Sequence, residues 1–301
     1  MSLIQPEAKT YSCEKNRQIA EQGKITKQRR SQLQAQTIEL GINKKYAETR
    51  KRKLEQLFLQ SKWVTNDIIH HLENNNINSW DDKKKHVQVR MGKDSDKYED
   101  RDITILSSKN KQNLRDRYKN NLSSLHALKE NGHKVGKLQY VKTVDSIPYN
   151  QLGNDFDVNL ETRMIKIQKI GWLKVHGLSQ LPQDAEIATG VLLNTPRGYV
   201  FHLTYYTLVK EYSYTPGTVI GIDFGVKTFL TMSNGNEYIN SVPLTPRLKN
   251  LQRKLSRQQK GSNNYIKTIC AIQKCYHDIS HQKDDIANKL VSFLLNTYDI
   301  I

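Results

Sequence analysis

The sequence predicts an α+β chain of several domains. Two long stretches carry apolar residues at helical spacing, a middle stretch has short runs of Val, Ile and Tyr between turn residues, and the last places apolar strands ahead of a basic helix. A length of 301 residues allows one large domain or two to three smaller ones. Lys and Arg total 47 against 30 Asp and Glu, a formal charge of +17. That balance points to a polyanionic partner and excludes an acid-rich solubilising domain.

Residues 1–45 are polar and basic, with Lys27, Arg29 and Arg30 clustered, and read as an arm that buries little surface. From Tyr46, the positions Leu54, Leu57, Phe58, Val64, Ile68 and Leu72 recur at helical intervals, which predicts an amphipathic helix ending at Asn74–Asn76. Residues 80–102 mix runs of both signs and read as a short strand plus loop. A second helix is predicted from Ser107 to Glu130 on the stripe Leu114, Tyr118, Leu122, Leu125 and Leu128, stopped by Asn131-Gly132. Residues 46–132 therefore form a helical lobe.

After Gly136 the runs Met164–Ile167, Trp172–Val175, Ile187–Leu193 and Tyr199–Leu208 read as strands. Thr195-Pro196-Arg197-Gly198 joins the last two as a hairpin, and Tyr199, Phe201, Leu203 and Tyr205 alternate with Val200, His202 and Thr204 as a sheet strand requires. Val219–Lys227 is then an apolar strand broken by one carboxylate between glycines. Phe229–Ser233 is a second strand, turning at Asn234-Gly235 into Glu237–Ile239. Three antiparallel strands followed by one long helix, Pro246–Tyr276, is how ribonuclease H-like domains begin.

Asp223, in what reads as a buried apolar strand, needs its charge offset, because an unpaired buried carboxylate costs several kcal/mol. A divalent metal is one remedy, and carboxylates on separate strands hold the ions of two-metal phosphoryl transfer. Capping a turn or pairing with Lys227 is the plainer reading. A Gly-Ile-Asp-x-Gly strand also opens actin-like ATPases, but those need a second phosphate loop, which the following residues lack.

Along the predicted helix, Arg247, Lys249, Arg253, Lys254, Arg257, Lys260, Lys267 and Lys274 interleave with Leu248, Leu251, Leu255, Ile266, Ile269 and Ile272. This suits either a helix lying on a phosphate backbone or a solvated amphipathic face. His277 and His281 share a helical face, yet the Glu of a metalloprotease helix is missing. Cys13, Cys270 and Cys275 make neither a disulfide framework nor a zinc knuckle. With no signal peptide or membrane span expected, a cytoplasmic location follows.

Several stretches together resemble the OrfB/TnpB proteins of bacterial insertion sequences, RNA-guided DNA nucleases related to type V CRISPR effectors. They are Leu57–Asp67, Ile170–Leu178 with Leu181–Ala185, Gly221–Lys227, Leu251–Arg257 and Lys260–Asn264, in that order. The resemblance implies a basic arm and first wedge strand over 1–45, a helical recognition lobe over 46–135, a β-barrel wedge domain over 136–215 and a RuvC nuclease domain from 216. It implies a guide RNA from the transposon end and a target DNA as partners, with magnesium as cofactor. Asp223 matches the first RuvC acid and metal ligand, and Lys227, Arg247, Lys249, Arg253, Lys254, Arg257 and Lys260 are the expected nucleic-acid contacts. Family members continue into a strand ending in Glu, a zinc ribbon and a last Asp, whereas this sequence stops at Tyr298–Ile301. The expectation is a C-terminally truncated nuclease domain, without zinc, that does not cut DNA alone. The alternative is a nuclease-inactive RNA-guided repressor of its own transposon.

Overall fold

The computed structural model describes residues 7–73, 80–92, 97–136, 138–209, 217–225, 229–238 and 242–301. The chain is mixed α and β, and divides into two compact units, 1–209 and 210–301.

The first unit opens with helix α1 (Glu7–Arg30) and strand β1 (Leu33–Ile42), followed by α2 (Glu48–Glu73). The predicted stop at Asn74–Asn76 lies outside the described residues. The segment 80–102, expected as a strand plus loop, contains two paired strands, β2 (His86–Arg90) and β3 (Tyr98–Asp102). Then come α3 (Ser108–Glu130), β4 (Ser146–Tyr149), β5 (Phe156–Asn159), β6 (Met164–Ile167), β7 (Gly171–His176), β8 (Glu186–Thr195) and β9 (Gly198–Leu208). The hairpin at Thr195–Gly198 forms as its turn residues require.

Seven of these strands make one antiparallel sheet in the order β4-β8-β9-β1-β7-β6-β5. The strand at its centre is β1, so the expectation that residues 1–45 bury little is corrected. Ile38, Leu40 and Ile42 alternate inward with polar residues outward, and β1 pairs with β9 from Leu33↔Leu208 to Gly41↔Val200. Tyr149 on one edge strand and Phe156 on the other both pack on the Phe201 ring of β9, at centroid distances of 5.9 and 5.4 Å. The sheet therefore curls. Gly190 on β8 makes room for that ring, since a Cβ there would lie 2.2 Å from Phe201 Cζ.

Helix α2 buries Leu54, Leu57, Phe58, Val64 and Ile68 in the same core, with Phe58 stacked on Tyr199 at 5.6 Å. Helix α3 starts with a capping box. Ser107 Oγ accepts from the Asn110 amide at 3.0 Å, and Asn110 Oδ1 accepts from the Ser107 amide. It ends in a Schellman turn, with His133 N–H donating to Leu128 O and Gly132 N–H to Lys129 O. Its expected apolar stripe is buried only at the start: Leu114 is in the core, whereas Leu122 and Leu128 are exposed.

In the second unit, β10 (Ile222–Asp223), β11 (Leu230–Met232) and β12 (Glu237–Tyr238) form an antiparallel sheet, turning at Gly235 with φ +86°. Helices α4 (Pro246–Ser256) and α5 (Asn263–Thr297) follow. A single helix over Pro246–Tyr276 is thus corrected. Gly261 adopts φ +84°, and Ser262 caps the new helix by accepting from the Tyr265 amide.

After α5 the chain runs parallel to the residues before β10. Val219 bridges Ile300, Ile220 N–H donates to Ile300 O at 3.0 Å, and Asp299 N–H donates to Thr218 O at 2.9 Å. Ile220, Leu230, Met232, Leu290 and Leu294 form the core of this sheet. Among the described residues no helix is long and apolar enough to cross a membrane.

Candidate functional site

Asp223 ends β10, opposite Thr231. Period-2 alternation sends Ile220 and Ile222 toward the core side and leaves Asp223 exposed. The expectation of a buried carboxylate is therefore corrected, and the desolvation argument for a metal falls with it. Neighbouring contacts fix the strand: the Gly221 amide donates to Ser233 Oγ at 3.0 Å, and Phe224 meets Phe229 edge to face at 5.9 Å.

Among the described residues, no group of three or more His, Cys, Asp or Glu side chains is arranged to hold a metal ion. Asp299 Oδ2 is engaged by the Thr218 amide at 2.9 Å, and Glu237 lies on β12, beyond β11 from Asp223. Two ions held about 3.5 to 4 Å apart need several carboxylates. The donor set described here does not fit a two-magnesium centre. His277 and His281 do meet, Nε2 to Nε2 at 3.3 Å, as a pair of rings.

The basic residues separate cleanly. Helix α4 turns Leu248 and Leu251 toward Ile272, Cys275 and Ile279 of α5, and Gln252 Nε2 donates to Tyr276 Oη at 2.9 Å. At 100° per residue, Lys249, Arg253 and the C-capping Arg257 fall on the far side and Arg247 and Lys254 on the flank, all exposed. Lys260 is exposed in the turn between the helices, and Lys267 and Lys274 lie on α5. Lys227 lies outside the described residues.

A second basic assembly escaped the sequence reading. Lys83, Lys85, Lys109, Lys111 and Lys169 line one cleft of about 470 Å³ at the N-terminus of α3, with Ser107 and Ser108. These lysines come from three segments spread over 87 residues, so no local run marks them.

Comparison with known proteins finds a family match in the last third of the chain. Residues 202–301 match the family model OrfB_IS605, described as "Probable transposase". A 149-residue stretch is 28% identical to the "Putative RNA-guided DNA endonuclease InsQ" of Escherichia coli strain K12. Over these residues the chain is similar to OrfB proteins. The match covers 47% of this chain and 35% of InsQ, so the chain spans about a third of that relative's length. A cryo-EM structure of a Cas12f1–sgRNA–target DNA complex aligns over 89% of this chain and 80% of that one, at 11% identity and a TM-score of 0.43.

Proposed function

We propose that this chain is an OrfB/TnpB protein, a transposon-encoded, RNA-guided DNA-binding protein descended from a RuvC endonuclease. The observation that carries the reading is the arrangement in the second unit. Asp223 stands on the first of three antiparallel strands, a parallel bridge from Val219 to Ile300 follows a helical pair, and one helix of that pair exposes a basic face. That order is how a ribonuclease H-like domain starts, and the match to OrfB proteins over residues 202–301 supports the same assignment.

On this reading residues 216–301 are the RuvC portion, 46–135 the helical recognition lobe and 136–215, with β1, the wedge domain. A guide RNA from the transposon end pairs with target DNA, and the protein holds the hybrid by its backbone. The exposed cations Arg247, Lys249, Arg253, Lys254, Arg257 and Lys260, with Lys227, meet phosphates without reading sequence.

Among the described residues no group of three or more His, Cys, Asp or Glu side chains is arranged to hold a metal ion, and the binding-only reading, a nuclease-inactive repressor of the parent transposon, is the alternative that the cleavage test separates. Magnesium-dependent cleavage belongs to this chain only where further carboxylates complete the site. The test is a plasmid bearing the guide-matched target, incubated with protein, guide RNA and Mg²⁺. Guide-dependent retention of the plasmid without scission is expected, equally with Asp223→Ala. Cutting that disappears in Asp223→Ala would overturn the binding-only reading; absence of guide-dependent retention would overturn the family function.

A further inference from the structure

The lysine cleft at the start of α3 lies in the first unit and has no part in the carboxylate site. Lys111 is 3% exposed, and its ammonium donates to the Lys84 carbonyl at 2.5 Å. Burial, and then the charge of Lys169, pull its pKa below the usual lysine value. A buried cation beside a second cation calls for an anion.

The carboxylates in electrostatic reach of Lys111 are Asp81, Asp82 and Asp102, and each also has a nearer partner. Asp81 accepts from the Lys83 amide, Asp82 faces Arg115 at 3.7 Å, and Asp102 accepts from Thr104 Oγ1 at 2.6 Å. Among the described residues none of the five cleft lysines forms a salt bridge.

Two further features converge on the same space. The capping box uses the Asn110 amide, leaving the Ser108 and Lys109 amides at the positive end of a 23-residue helix. Lys169 sits in the turn between β6 and β7 with φ +69°, a left-handed conformation that a side chain rarely adopts. That turn brings Lys169 to the lining of the cleft.

We propose that this cleft binds a phosphate group of the nucleic-acid backbone, held by Lys85, Lys109, Lys111 and Lys169 with the first amides of α3. The assignment rests on the nucleic-acid-binding function proposed above for its ligand, but not on Asp223 or α4. A phosphate is small enough for the cleft, brings negative charge to the lysines lining it, and suits a helix N-terminus.

The test uses the full chain, Lys85→Gln/Lys169→Gln, both exposed positions, and Arg52→Gln/Lys53→Gln, exposed on α2, as a control. Sodium tripolyphosphate at matched ionic strength should raise the melting temperature of the wild type and the control but not of the cleft variant. An equal rise in the cleft variant overturns the site. A labelled single-stranded RNA should then bind the cleft variant more weakly, with a salt slope shallower by roughly 0.7 per lost contact. Lost tripolyphosphate binding with unchanged RNA affinity and slope overturns the backbone assignment in favour of a free phosphate compound. Tripolyphosphate binding by a wild type that binds no RNA rejects the nucleic-acid function itself while leaving an anion site.

Discussion

The Asp299 carboxylate accepts the Thr218 amide hydrogen at 2.9 Å, while the Asp299 amide donates to the Thr218 carbonyl at the same distance. These two residues bind the chain leaving α5 to the chain entering β10, and so fix the sheet that presents Asp223. The contact is exposed, and a single such hydrogen bond contributes about 1 kcal/mol. Asp299→Ala is expected to lower the unfolding free energy by about that amount, and Asp299→Asn, which keeps an acceptor, by less. Denaturant midpoints at constant slope measure both.

Gly190→Ala tests the curl of the seven-stranded sheet. The added methyl would stand 2.2 Å from Phe201 Cζ, and Phe201 is wedged between Tyr149 and Phe156. Overpacking of this kind costs about 1–3 kcal/mol. A thermal melt lowered by several degrees is expected, and an unshifted melt would mean that the ring has somewhere to move.

Lys169→Gly separates stability from binding. Glycine removes the strain of a left-handed side-chain residue and one of two neighbouring cations, so the ligand-free protein should gain about 1 kcal/mol. Phosphate binding should weaken in the same variant. Equilibrium unfolding with and without tripolyphosphate reads both effects.

The pH dependence of Lys111 follows from the direction of its shift. Its pKa is lowered in the folded chain by burial, so between that value and about 10.4 the unfolded chain binds more protons. Its contribution to stability therefore rises with pH across that window. Relative to Lys111→Met, the wild type should gain unfolding free energy between pH 8 and pH 10. Parallel pH profiles of the two proteins would contradict this.

Neutralising Arg253, Lys254 and Arg257 to Gln should leave the fold intact, since all three are exposed and α4 packs through Leu248 and Leu251. Affinity for duplex DNA should fall for all sequences alike, with the salt slope reduced by about 0.9 per lost phosphate contact. A titration of binding against salt concentration measures it.

How far the residues foretold this structure varied with how local the deciding interaction was. Asn234-Gly235 and the alternation around Phe201 announce their strands because turn geometry and period-2 burial are written in adjacent positions. The break between α4 and α5 was also local, in Gly261-Ser262, but the continuing basic and apolar pattern obscured it. Exposure of Asp223 was not foreseeable from its apolar neighbours, because it depends on which side of a short strand the core of Leu290 and Leu294 lies. The lysine cleft needed the tertiary fold to bring residue 169 to residue 111.

The measurement that bears most directly on nucleic-acid recognition is the RNA that accompanies the protein when it is expressed with its flanking transposon end and purified at moderate salt. A discrete RNA from that end, protected from nuclease while bound and lost when the cations of α4 and the cleft are neutralised together, is the predicted result. Protein that purifies free of RNA, and binds none when the transposon-end transcript is added back, would contradict the account.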